Sequence, residues 1–285
     1  MKKNILFLFS ILALTTIYTL PAQTKSPSYL SAKRELHEHY TTHAFRAGLS
    51  GKKINSQRGT GLKPTLTTPY EVKKPLAELN RSLVPLWLGS PESLQKTFEQ
   101  MRDTRVLTQD PTFPRRPTWL YPDDGCFARA AVLSVEAIAL EVNRPGKIFV
   151  FGDLVINTPN SPDGIASWWY HVVVGYRLGN EIFIFDPSIE ARFPVTIEKW
   201  IELMGGEKSQ ASIAICDSGA FSPESACYGG TEMSIEDIFH VQNRYLEPEW
   251  SRLEEMNRDP IKELGDSPPW LIQPTQEIIL TQEKK

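Results

Sequence analysis

Cys126 stands where a polar run, Tyr121-Pro-Asp-Asp-Gly125, gives way to an apolar one that lasts to Val142. That switch predicts a helix starting at the cysteine, with Asp123 or Asp124 as its cap and Gly125 permitting a tight turn. A thiol in the first turn of a helix sits at the positive end of the macrodipole. The field there favours the thiolate, which is the nucleophilic form. The N–H groups of the same turn point outward and can hold an oxyanion, and a glycine just before the cysteine leaves room for a substrate. A lone cysteine at a helix start is nevertheless more often structural, so the chemistry needs partners.

A hairpin supplies them. Gly179-Asn180 lies between two runs rich in β-branched and aromatic residues, a strong two-residue turn signal. With that loop, Leu178 faces Glu181, Tyr176 faces Phe183, and Val173 falls opposite Asp186. His171 and Val173 lie on one face by the two-residue period of a strand, so Asp186 is diagonal to His171 and within side-chain reach. Val172, Val174, Phe183 and Phe185 on the other face read as core. A carboxylate on one imidazole nitrogen fixes the tautomer and supports the imidazolium, leaving the other nitrogen for a cysteine. Taken singly, His171 reads as a satisfied core histidine and Asp186 as a strand-end cap before Pro187. The register is what makes them a pair.

The surrounding elements follow from pattern. Ser90-Pro91-Glu92 starts a helix running to about Arg105, apolar at Leu94, Phe98 and Met101. The run from Phe127 to Val142 is too apolar for a surface helix and predicts a central, mostly buried one. Strands are expected over Lys147 to Val155, Trp168 to Leu178, Glu181 to Phe185 and Ser212 to Cys216. A last helix is expected over Ser234 to Glu254, before a polar tail over 261–285.

Composition sets the class. Of 285 residues, 41% are hydrophobic and 23% charged, with a net charge of −3, an ordinary globular balance without the basic excess of a nucleic-acid binder. Lys2, Lys3 and the apolar run Ile5 to Leu14 read as a signal peptide over 1–22, cleaved after Ala22 and too short to span a bilayer. No other stretch is long and apolar enough to do so, so stable membrane insertion is not expected. Residues 23–85 read as a pro-segment or accessory region and 86–260 as the catalytic domain. Export favours disulfides: Cys216 and Cys227 are expected to pair, which leaves Cys126 as the reactive thiol. His37, His39 and His43 do not form a His-Glu-x-x-His motif, because Thr41 stands where the second histidine would. No metal or cofactor is expected.

Three segments carry a resemblance: Tyr121-Pro-Asp-Asp-Gly-Cys-Phe-Ala-Arg-Ala130, Trp169-Tyr-His-Val-Val-Val174 and Phe185-Asp-Pro-Ser188. Together, and in this order, they resemble the bacterial protein glutaminases (protein-glutamine deamidases), which are similar in their core to transglutaminases and papain-like enzymes. The resemblance covers roughly 115–190. It implies an α+β fold with a papain/transglutaminase-like core, in which a central helix carrying the cysteine packs on an antiparallel sheet carrying the histidine and aspartate. It also implies the roles: Cys126 as nucleophile, His171 as general base and acid, and Asp186 as its orienting group. Trp168, Trp169, Tyr170 and Gly125 are candidates for the substrate channel. The implied substrate is a glutamine-containing protein or peptide and the enzyme is expected to be a secreted or periplasmic monomer. The same triad with an amine as acceptor makes a transglutaminase, and with a main-chain amide a cysteine protease. A secreted non-catalytic binding protein on this scaffold is the reading an incomplete triad would have favoured.

Overall fold

Six strands form one antiparallel sheet in the order β1-β6-β2-β3-β4-β5. In this computed structural model residues 67–107 and 114–265 are described, all within one compact unit, Thr41–Lys285. The signal peptide, most of the 23–85 segment, the three clustered histidines and most of the tail lie outside the described residues. The strands are β1 (Lys74–Pro75), β2 (Gly146–Asn157), β3 (Ile165–Leu178), β4 (Glu181–Phe185), β5 (Val195–Thr196) and β6 (Ser212–Cys216). The hairpin register is the one the turn chemistry predicts, with Leu178 opposite Glu181, Tyr176 opposite Phe183 and Val174 opposite Phe185.

The helices are α1 (Pro69–Val72), α2 (Pro91–Asp103), α3 (Cys126–Ala139), α4 (Ile197–Leu203), α5 (Ile235–Asn243), α6 (Leu246–Glu255) and α7 (Pro260–Leu264). Both α2 and α5 begin as expected: the Ser90 and Ser234 side chains accept from the backbone N–H groups of Ser93 and Asp237. Most of α3 is buried, which matches its nearly unbroken apolar run.

Both faces of the sheet are covered. On one, Cys126 and Leu133 of α3 and Phe98 of α2 pack against Phe149, Val172, Val174 and Tyr176. On the other, Ile197, Trp200 and Ile201 of α4 pack against Ile148, Val150, Val173 and Ile184. The expectation of one core face is therefore extended to two, because α4, unforeseen, closes the second. Its signal was local: Thr196 caps it by accepting from the Lys199 N–H.

Two expectations change. The cap of α3 is Gly125 itself, at φ 79°, with no side-chain capping bond; the Asp124 carboxylate instead accepts from the Gly125 N–H at 2.6 Å. The last long helix is broken at Arg244–Tyr245 into α5 and α6. Pro248 explains the break, since its ring excludes the carbonyl four residues earlier, that of Arg244, from a continuous helix.

Cys216 and Cys227 form a disulfide, which ties the end of β6 to the loop after it. Its eleven-residue separation predicts that Cys216→Ser with Cys227→Ser lowers unfolding free energy by about 2–4 kcal/mol. Urea unfolding of the two forms under non-reducing conditions measures this.

Candidate active site

The turn that delivers Cys126 is built from both sides. Gly125 has a left-handed backbone that strains any side chain, and an added Cβ would lie 3.1 Å from the Tyr245 ring, which would have to give way. Arg129, from the next turn of α3 and itself buried, gathers the preceding loop. Its Nη1 donates to the main-chain carbonyls of Thr118, Tyr121 and Asp124 at 3.2, 3.0 and 2.7 Å. From the C-terminal helices, Gln242 Nε2 donates to Thr118 Oγ1 at 2.7 Å. Glu249 Oε1 accepts from the Leu120 N–H at 2.7 Å, and Arg252 pairs with Asp123. Cys126 emerges from this clamp as the first residue of α3 and is 2% exposed.

His171 lies on β3 beyond the end of the β4 ladder, which begins only at Val174. Its ring is fully buried. Nε2 bonds Asp186 Oδ2 at 2.8 Å, so Nδ1 is the nitrogen left for another partner. Trp168 stacks on the imidazole, with centroids 4.9 Å apart and planes 19° from parallel. The Trp168 indole N–H donates to the carbonyl of Pro122 at 3.0 Å, which links the imidazole's support to the loop that delivers Cys126.

Asp186 accepts from four donors. Oδ2 receives His171 and the Trp200 indole N–H at 2.9 Å; Oδ1 receives the Ser188 hydroxyl at 2.5 Å and the Ser188 N–H at 3.3 Å. Burial opposes its charge, but His171, Ser188 and Trp200 hold its pKa below the ordinary value. Burial likewise opposes charge on His171. The Asp186 carboxylate, followed by hydrogen bonding and charge from Cys126, outweighs it and raises the pKa to about 9. Cys126 is thus among the groups that favour a charged His171.

A small cavity joins the three residues, with Trp119, Leu133 and Phe185 among its apolar walls. Other residues singled out from the sequence are placed variously. Trp168 and Tyr170 are buried and Trp169 is partly so. Trp169 packs against Tyr170 at 4.6 Å and Phe151 at 6.1 Å. Burial, then the charges of Cys126 and Asp124, raises the Tyr170 pKa, so its phenol stays protonated. Trp200, Gln242 and Tyr245 were missed because they lie far along the chain; only the fold brings them here. Among the described residues no group of three or more His, Cys, Asp or Glu could hold a metal. None of the described helices is long and apolar enough to cross a membrane.

Residues 94–204 match a family model described as glutaminase. The resemblance to the protein glutaminases therefore holds over a stretch that contains Cys126, His171, Asp186 and Trp200. Solved structures are similar at a low level. A crystal structure of protein-glutaminase shares 19% identity with a TM-score of 0.38, covering 65% of this chain and 94% of that one. A crystal structure of pro-protein-glutaminase shares 20% with a TM-score of 0.41, covering 82% and 83%. The NMR structure of protein-glutaminase from Chryseobacterium proteolyticum shares 20% with a TM-score of 0.41, covering 68% and 96%. No curated protein matches the chain. The glutaminase stretch ends at the last turn of α4, so the C-terminal helices that clamp the Cys126 loop lie outside it.

Proposed function

We propose that the protein is a protein-glutamine glutaminase, which hydrolyses the side-chain amide of protein- or peptide-bound glutamine to glutamate and ammonia. The observation that carries this is the buried alignment of Cys126, His171 and Asp186 inside the stretch that matches the glutaminase family.

The Cys126 thiolate attacks the carboxamide carbon, and the oxyanion forms against the first-turn N–H groups of α3. His171 donates its proton to the departing nitrogen, and ammonia leaves as the C–N bond breaks. A thioester remains. Water gives a proton to His171, attacks the thioester carbon, and releases glutamate with the thiolate restored. Asp186 holds the imidazole ring throughout. Gly125, Trp168, Trp169 and Tyr170 belong to the walls of the approach rather than to the chemistry. This reading needs no cofactor and keeps a papain/transglutaminase-like core.

In this reading residues 1–22 direct export, 23–85 are a pro-segment or accessory region, 86–260 carry the catalytic unit as a monomer, and 261–285 form the tail. The Cys216–Cys227 disulfide supports an oxidising destination, secreted or periplasmic.

The test is ammonia release from a blocked Gln-Gly dipeptide and from casein, alongside incorporation of a labelled amine and peptide cleavage. One ammonia per glutamate formed, without amine incorporation or chain cleavage, is the expected result. Amine incorporation in place of glutamate would make the enzyme a transglutaminase. Cleavage without ammonia would make it a protease. Binding without turnover would make the site non-catalytic.

A further inference from the structure

Asp186 holds His171, and a second residue holds Asp186. The Trp200 indole Nε1 donates to Oδ2 at 2.9 Å, and that same oxygen accepts from His171 Nε2 at 2.8 Å. Trp200 is fully buried, and its ring also lies against the imidazole, with centroids 5.8 Å apart. It arrives from α4, whose core is on the sheet face opposite that of α3 and Cys126.

The chemistry of the donor matters. An indole N–H only donates. It cannot take a proton from His171 or give Asp186 an alternative acceptor to bond. Two donors on one carboxylate oxygen fix its lone pairs, one toward Trp200 and the other toward His171. Ser188 fixes the second oxygen in the same way. The carboxylate therefore cannot rotate without breaking buried hydrogen bonds on both sides.

We infer that Trp200 is a positioning residue of this site: its N–H fixes the Asp186 carboxylate and, through it, the His171 ring that faces Cys126. The inference rests on the glutaminase reading for the reaction it serves, but its consequence for the thiol does not depend on which reaction that is. Losing the N–H leaves a buried carboxylate with one donor fewer. Asp186 becomes easier to protonate, the imidazolium loses support, and the Cys126 thiolate forms less readily.

Trp200→Phe keeps an aromatic ring and removes the donor. The direct readout is the rate of Cys126 alkylation by iodoacetamide against pH, since the other two of the chain's three cysteines are joined in the disulfide. The midpoint for thiolate formation is expected to rise by about one unit. Ammonia release is expected to fall about tenfold in kcat, with KM nearly unchanged. An unchanged alkylation profile in a folded variant would overturn the inference and leave Trp200 as core. A variant that does not fold is covered by the unaltered protein: the Trp200 indole proton, followed by NMR, should titrate together with His171, and an indole signal indifferent to that titration would also overturn it. The two readings separate cleanly. A shifted alkylation profile with no ammonia from the wild type keeps Trp200 and removes the glutaminase; ammonia with an unshifted profile does the reverse.

Discussion

Cys126→Ala is expected to lower ammonia release from glutamine substrates by at least roughly a thousandfold, with the fold intact. In the proposed reaction Cys126 is the one group for which nothing nearby can substitute, so activity should fall to what binding and oxyanion stabilisation alone supply. Stability should fall by about 1 kcal/mol, the scale of one buried sulfur lost from the core. The thiol also contributes to the raised pKa of His171. The histidine in Cys126→Ala should therefore titrate below about 9, while staying above its ordinary value because Asp186 remains. Ammonia assays, thermal unfolding and an NMR titration of His171 check the three parts. Full retention of activity would remove Cys126 from the mechanism altogether.

Asp186→Ala carries the second large effect, and it strikes stability as well as rate. The substitution strands His171 Nε2, the Trp200 indole N–H and both Ser188 donors in a buried pocket. Removing one partner of a buried charged pair typically costs about 3–5 kcal/mol, and loss of the orienting group should lower kcat/KM by roughly 10³-fold or more. Asp186→Asn should be milder on both counts. Its amide oxygen can face His171 and Trp200, its amide nitrogen can face the Ser188 hydroxyl, and only the Ser188 N–H is left wanting. The cost should also depend on pH. The folded-state pKa of His171 is raised from 6.5 to about 9, so its share of the stabilisation is complete below 6.5 and lost as pH rises through 9. The pKa of Asp186 is lowered from 3.8, so its share is present above 3.8 and lost as pH falls through the lower folded value. The stability gap between wild type and Asp186→Ala should therefore be widest between pH 3.8 and 6.5. Urea unfolding across pH measures it, and a gap independent of pH would show that Asp186 acts without its charge.

What could be read from the sequence was whatever depended on short-range rules. The Gly179-Asn180 turn set the hairpin register, and the register placed His171 beside Asp186. Polarity change at Gly125 located the start of α3 and put Cys126 in its first turn. The resemblance joined those two local results into one site. What lay beyond reach depended on distant parts of the chain. Trp200 comes from a short helix that pattern alone did not reveal, although Thr196 marks its start. Gln242, Glu249 and Arg252 carry no motif within the helix expected over Ser234 to Glu254, and their partners are more than a hundred residues away. The split at Arg244–Tyr245 was legible in Pro248 and was passed over. The cap of α3 was misplaced because a left-handed glycine can start a helix without a side-chain cap.

The clamp on the Cys126 loop bears on how portable this chemistry is. The recognisable stretch stops at residue 204, whereas three of the side chains holding Thr118, Leu120 and Asp123 come from 242–252. Cys126, His171 and Asp186 and the side chains that hold their loop thus occupy separate parts of the sequence, and the tether lies outside the stretch that the family model matches. Transplanting the recognisable stretch alone into another host would carry over Cys126, His171 and Asp186 while releasing the loop that holds Cys126. An engineer shortening this protein should accordingly place the cut after α6, not where the resemblance ends.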